Sequence, residues 1–491
     1  MKRVSQQFGI AGSQGSFDFI DVDVEGDTPL FIDPVAIAQI DSDWAASCTA
    51  GIQSFFQRVL DYVVAGDRSA AEALMSYLGE DNSTHLGYSA NSEGSGVGPG
   101  LARRFYDELS GSVAVQSGLI SDLEDTALMI EGVREDRISD VVTNIIRGRL
   151  AEFTVDAATF YDIPLTPGIS LGYEWNHQRS SWEQGEYELP VTPKGPLLLV
   201  PKSIVRRSLF FNPSEYYRHY VLEYFKAREL QTAHSPLVQV LKSGEKRIKK
   251  GDVEHKYREK HYDPNKPGVE KRVNVDATQQ EPALLDQYKK DKLLKNPPTS
   301  QPHAVIAEAS ETEVPDFQAL LAAVQTLTTG LPDATHYEKA VEALLSALFY
   351  PDLINPRRQH NIHEGRKRID LSFTNSGRLG SFFYWLAMHH PAANVVVECK
   401  NYSRPLANPE YDQIAGRFSP SRGTFGLLVY RQYEDKDAIL ASCRDTASDH
   451  RGFIIPLDDQ DLAALVVEVQ TSGSCTEIDG LLRKRFNGLV E

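Results

Sequence analysis

The chain has 491 residues, 41% of them hydrophobic and 24% charged, which is too long for one ordinary core and predicts roughly two to four domains. Its four cysteines, Cys48, Cys399, Cys443 and Cys475, lack paired spacing, which argues against a disulfide framework or a zinc site. No apolar run approaches a membrane span and Met1–Gln6 opens no apolar signal core, so a cytoplasmic protein without membrane contact is expected. The net charge of −17 is unevenly divided: residues 1–190 hold 11 Lys and Arg against 30 Asp and Glu (net −19), and the remainder holds 40 against 38 (net +2), so the N-terminal half is a poor surface for wrapping a phosphate backbone unaided.

In chain order, Ser16–Val24 alternates as a strand, Glu25–Pro29 reads as a turn and Leu30–Pro34 as a second strand, which predicts a hairpin. Its aspartates lack the spacing and closing glutamate of a calcium loop and read as surface carboxylates. Helices are expected over Ala50–Ala65 and Ala70–Leu78. A glycine-rich stretch, Glu93–Gly100, leads into a helix at Leu101–Leu109 carrying Arg103 and Arg104; without Gly-Lys-Ser/Thr it reads as a turn rather than a phosphate cradle. Leu128–Gly132 reads as a strand and Arg137–Ile146 as a helix, with Asp136, Arg137, Asp140 and Asn144 on its solvated side. Gly195–Pro201 reads as a buried strand, and Tyr216, Tyr217, Tyr220, Tyr224 and Phe225 as a helix packing its aromatics inward. Lys242–Arg272 is densely charged and reads as exposed helix and loop. Residues 296–316, rich in proline, read as a linker between an N-terminal unit (1–295, divisible near 190) and a C-terminal unit (317–491).

The chemistry concentrates in the C-terminal unit. His336–Leu348 predicts a helix with Val341, Leu344, Leu345 and Leu348 as its buried stripe and Glu338 near its start. In Arg366–Phe373, Ile369, Leu371 and Phe373 alternate with Asp370 and Ser372 as a strand would, so Asp370 leaves the opposite face. Asn394–Lys400 predicts the next strand, with Glu398 and Lys400 two apart and therefore on one face. Glu410–Phe418 reads as a helix and Gly426–Tyr430 as a strand, followed by a strand at Gly452–Leu457 and a helix at Asp461–Val469. Two carboxylates and an ammonium at the ends of paired strands suit phosphodiester hydrolysis: hard oxygens hold Mg²⁺, and a neighbouring lysine orients the attacking water or helps to deprotonate it. Arg357, Arg358, Arg366, Lys367 and Arg368, with His360 and His363 between them, form a basic stretch leading into this site that would meet a phosphate backbone.

Asp370, the Glu398-Cys399-Lys400 triplet, the Glu338 helix and the Gln413 helix together resemble the PD-(D/E)xK nuclease superfamily, and within it the Mrr-type endonuclease domains. The resemblance covers about residues 335–430 and departs from the family in carrying Ile369 where a proline commonly precedes the aspartate. It implies an α/β fold in which a restriction-endonuclease-like core, a central mixed sheet flanked by helices, is joined to a larger mixed α+β N-terminal domain. It further implies Asp370 and Glu398 as metal ligands, the Cys399 carbonyl as a third, Lys400 as the catalytic lysine, Glu338 as an added ligand and Gln413 as a polar site residue. The expected activity is a Mg²⁺-dependent DNA endonuclease, Mn²⁺ substituting, with the N-terminal unit recognising a partner or signal or restraining the nuclease, and with a homodimer if both strands of a duplex are cut. The architecture points to a prokaryotic defence effector against phage or plasmid DNA. The competing readings are a catalytically silent nucleic-acid-binding scaffold and a structure-specific repair nuclease.

Overall fold

Two separate hydrophobic clusters organise the chain, one built from Val4 through Ala309 together with Tyr350 and Ile354, the other from Leu321 through Leu489. The computed structural model describes residues 2–79, 81–87, 99–264, 268–362, 367–431 and 435–490, with the backbone alone at 99–101, 359–362 and 367–368. Helix α1 (Asp43–Val64) starts where the Ser42 hydroxyl accepts the Ala45 N–H, and it buries a stripe through Ile52, Phe55, Phe56, Val59 and Val63. It packs on α2 (Glu135–Phe160), whose acidic first turn suits the positive end of the helix. A hairpin of β1 (Thr166–Asn176) and β2 (Ser181–Leu189) lays Trp175 and Trp182 edge-on against Phe55, with ring centroids 5.2 and 5.4 Å away.

Several expectations for this half are corrected. Ser16–Val24 and Leu30–Pro34 do not pair with each other: Phe31–Ile32 pairs with Val205–Arg206, and Ile20 donates its N–H to the Val200 carbonyl. Asp18, Asp21, Asp23 and Asp33 are buried, not surface carboxylates, because each finds donors inside the fold. Asp21 takes both the N–H and the hydroxyl of Ser5, and Asp33 takes the N–H groups of Val35 and Phe210. Leu197–Val200 is buried as expected but joins no ladder; its N–H groups reach the Pro190 and Ser83 carbonyls and the Thr154 hydroxyl. Leu128 and Met129 end a helix, Leu123–Met129, where a strand was expected. Asn144 is fully buried rather than solvated, donating to the Gly79 and Asp140 carbonyls. The aromatic segment does pack inward, with Tyr216, Tyr217 and Phe225 buried. The expected linker contains a helix, His303–Ser310, with Ile306 and Ala309 buried, so this proline-rich stretch is packed onto the structure. Residues 88–98, most of the glycine-rich stretch, lie outside the described residues; the helix after it spans Pro99–Ser110.

The C-terminal half is a five-stranded mixed sheet with helices. Its elements are α3 (Phe317–Gln325), α4 (Ala334–Leu348), β3 (Leu353–Ile362), β4 (Lys367–Asn375), α5 (Phe382–His389), β5 (Asn394–Lys400), α6 (Asn408–Ala415), β6 (Phe425–Tyr430), α7 (Lys436–Ser448), β7 (Phe453–Leu457), α8 (Asp459–Ser472) and α9 (Leu481–Val490). The strand order is β7-β6-β5-β4-β3, antiparallel from β3 to β5 and parallel from β5 to β7. Leu427, Leu428 and Val429 in a central parallel strand are buried on both faces, as an apolar run without alternation implies. Among the described residues no helix is long and apolar enough to cross a membrane, and all four cysteines are buried and free.

One buried carboxylate ties the start of β3 to the chain beyond β4 and α8. Asp352, fully buried, accepts from Arg378 Nε (3.0 Å) and Nη2 (2.9 Å), from the Arg378 N–H, and from the Thr476 hydroxyl. Asp352→Ala removes the acceptor from this cluster and is expected to cost about 3 kcal/mol in a urea-denaturation series. A loss below about 1 kcal/mol would show that the cluster is not a structural tie.

Candidate active site

Asp370 and Glu398 meet because of strand register. β4 and β5 run antiparallel with Leu371 opposite Val397 and Ser372 opposite Val396, and one further step along the ladder brings Asp370 opposite Glu398 on the same face. The other face of both strands, Ile369, Leu371, Phe373, Val395 and Val397, is buried in the core, which fixes this register: a one-residue slip would turn the carboxylates inward. Asp370 Oδ2 accepts the Cys399 N–H at 3.1 Å, so the strand backbone holds its carboxylate.

Helix α6 closes the site from above. It approaches the sheet at Gly426, where a Cβ would come within 2.9 Å of both the Ile414 side chain and the Val396 carbonyl, so glycine is required for this distance. At that height Gln413 reaches the carboxylate layer: its Nε2 donates to Glu398 Oε2 at 2.9 Å, and its Oε1 accepts from Lys400 Nζ at 3.2 Å. Lys400 Nζ also donates to Glu398 Oε2 at 3.2 Å and lies 3.8 Å from Asp370 Oδ2. The ammonium thus sits between the two carboxylates, where a cation is electrostatically demanded. Arg417 Nε stands 3.4 Å from Glu398 Oε1 and completes the set. Sequence reasoning singled out Gln413 but missed Arg417; the signal was its i, i+4 spacing from Gln413.

The electrostatics follow from burial. Glu398 is fully buried, and loss of hydration together with the Asp370 charge pushes its carboxyl up to about 8, against the downward pull of Lys400. Lys400, almost as buried, is held above the usual lysine range because Glu398 and Asp370 outweigh its own desolvation, so its ammonium is charged at neutral pH. The carboxyl oxygens of Asp370 and Glu398 are hard donors, which suit Mg²⁺ and not a soft thiophilic metal. Asp370 and Glu398 could hold such an ion with water completing the shell. Among the described residues no group of three or more His, Cys, Asp or Glu side chains is gathered as a ready-made metal cage.

The remaining sequence-derived residues divide. Glu338 lies half-buried near the start of α4, close enough to Cys399 for its charge to raise the thiol, and it lines a large cleft beside the sheet. Of Cys399, the group engaged with the carboxylates is the N–H. Arg357 is exposed on β3 opposite Ser372, which places it on the Asp370 face. Arg358 is turned the other way: its guanidinium stacks 3.9 Å over Phe160 and donates to the Phe160 carbonyl, so it braces the N-terminal half and does not extend a phosphate surface. His363 and Arg366 lie outside the described residues, as do the side chains of His360, Lys367 and Arg368.

A raised carboxyl has a definite sign. The folded state keeps the Glu398 proton up to about pH 8 whereas the unfolded chain releases it near 4.5, so stability falls as pH climbs through that window. Glu398→Gln removes this titration, and its melting temperature relative to wild type is expected to rise between pH 5 and pH 9. A difference that stays flat would refute the raised carboxyl. Arg417→Met takes a donor from a buried carboxylate and is expected to cost about 2 kcal/mol, with Arg417→Lys recovering part of it in the same denaturation series.

A family model described as "Domain of unknown function (DUF8370)" matches residues 9–212, the acidic N-terminal region and not the candidate site. No curated protein matches the chain, and no solved structure matches it.

Proposed function

We propose that the chain is a metal-dependent endonuclease of the PD-(D/E)xK type, hydrolysing phosphodiester bonds of DNA at Asp370, Glu398 and Lys400. The observation that carries this reading is the convergence of two carboxylates and a charged lysine from adjacent strands, with Gln413 bonded to both Glu398 and Lys400. The mixed strand order, antiparallel then parallel, supports it as the sheet expected of a restriction-endonuclease-like core. In this reading Asp370 and Glu398 would hold a divalent cation, Mg²⁺ or Mn²⁺, which would supply neutralisation of charge on the phosphate. The chain's own groups do the rest. Lys400, charged and anchored by Gln413, orients the attacking water and offsets negative charge as the water oxygen bonds to phosphorus and the bond to the leaving sugar oxygen breaks; the water gives its proton to solvent and the leaving oxygen takes one from solvent. Arg417 and Gln413 hold Glu398 in position from opposite oxygens. The biological setting proposed with it, prokaryotic defence against phage or plasmid DNA, rests on the pairing of such a core with an unrelated N-terminal domain.

One observation favours a second reading, a silent nucleic-acid-binding scaffold. Both Glu398 oxygens are already satisfied by Lys400, Gln413 and Arg417, so the network stands without an ion. Cleavage separates the two. Purified protein is expected to nick supercoiled plasmid with Mg²⁺ or Mn²⁺ and not with EDTA, and Asp370→Ala or Lys400→Ala is expected to lower the rate at least about a hundredfold. Absence of nicking by folded wild type in either metal, with no heat of Mg²⁺ binding by calorimetry, would favour the scaffold.

A further inference from the structure

The N-terminal half stands against the β3 edge of the sheet. A cleft of about 1260 Å³ separates them. On the sheet side it is lined by Arg357, Arg358, Thr374 and Asn394. Thr374 alternates with Ser372 and Asp370 along β4 and is opposite Asn394, so this wall continues the face that carries Asp370 and Glu398. The facing wall is acidic: Asp41, Asp43, Glu152, Asp156 and Asp162 line it, and its one arginine, Arg149, is paired with Glu152 at 2.8 Å.

Direct contacts hold the two sides together and engage Arg358 and Lys339 of the C-terminal half. Arg358 caps the C-terminal end of α2 through the Phe160 carbonyl and ring, a placement the helix dipole favours. Lys339 pairs with Asp162 at 3.0 Å. Asp18 takes the Asn355 N–H of the edge strand β3 at 3.2 Å, and the Lys202 ammonium lies 4.1 Å over the Tyr350 ring. Buried ionisable groups run through this seam beside Tyr350 and Ile354, which join the N-terminal hydrophobic cluster: burial raises Asp18 to about 6 and Glu342 to about 7, and lowers Lys202 to about 8.

We propose that the N-terminal half is an electrostatic gate on the candidate nuclease site: the acidic wall of the cleft, with the Arg358 and Lys339 contacts, keeps nucleic acid off the Arg357 side of the sheet until the two halves part. The gate rests on the nuclease reading above. It gives a physical role to the charge division of the chain, since the carboxylates a phosphate backbone would avoid line the cleft that Arg357, which it would seek, also lines. It also names what an activating partner would have to do, which is to neutralise or displace that wall.

The test uses the full chain with Asp41→Asn, Asp156→Asn and Asp162→Asn combined; all three side chains are exposed, and asparagine tolerates the positive φ of 58° at residue 162. A control with Asp61→Asn, Glu186→Gln and Glu188→Gln removes the same charge from exposed sites outside the cleft lining. Binding of a labelled duplex is read by fluorescence anisotropy in EDTA, and Mg²⁺-dependent nicking is read separately, with and without Lys400→Ala. The cleft variant is expected to bind roughly tenfold more tightly at low salt, with the gain shrinking as salt rises, and to nick faster in a Lys400-dependent manner. Equal tightening by the control, or no tightening while wild type nicks in a Lys400-dependent manner, overturns the gate and leaves the nuclease reading standing. Tighter binding by the cleft variant alone without nicking keeps the exclusion and removes the nuclease reading. Folded protein that neither binds nor nicks in any form removes both.

Discussion

Burial of two carboxyl groups at facing positions of paired strands is the constraint around which the C-terminal half is built. Glu398 is fully buried beside Asp370, an arrangement that would be untenable without compensation. The surroundings supply it through Lys400 between the carboxylates, Gln413 bridging Lys400 and Glu398, and Arg417 on the remaining oxygen. Each compensating group depends on a further structural choice. Lys400 is available because it is two residues along the same strand, and Gln413 because glycine at 426 lets α6 descend onto the sheet. Such a network gathers carboxyl oxygens where a divalent cation could be received once Glu398 gives up its proton.

The N-terminal half solves a related problem differently. Its many carboxylates are partly internal, where Asp21 and Asp33 are satisfied by backbone N–H groups and a hydroxyl, and partly gathered on the wall facing the sheet. The seam between the halves mixes both kinds, since Asp18 binds the backbone of the edge strand while Asp162 pairs with Lys339. An exposed edge strand invites unwanted pairing, and here the start of β3 is covered by this seam.

Legibility followed locality. Strand β5 is legible at its observed limits because a β-branched run between breakers has few alternatives, and helix α4 is legible from its apolar spacing. β3 was not anticipated: Leu353–Ile362 is mostly polar, and its strand character comes from pairing with β4 rather than from its own composition. The same reason explains the failed hairpin at Ser16–Pro34, whose partners lie near residues 200–206, far along the chain. Leu128–Gly132 looked like a strand because a short apolar run has no periodicity, and tertiary packing made its first residues the end of a helix.

For the site itself, the sequence alone determined that Asp370 and the Glu398, Lys400 pair leave their strands on defined faces, because side-chain alternation is a property of extended backbone. Only the tertiary structure decided that the two faces coincide, that Arg417 joins them, and that Arg358 is turned to Phe160 instead of toward the carboxylates. Those outcomes depend on register, on the height of a helix above a sheet and on the docking of a distant helix end. Each is set by long-range packing that no local pattern encodes.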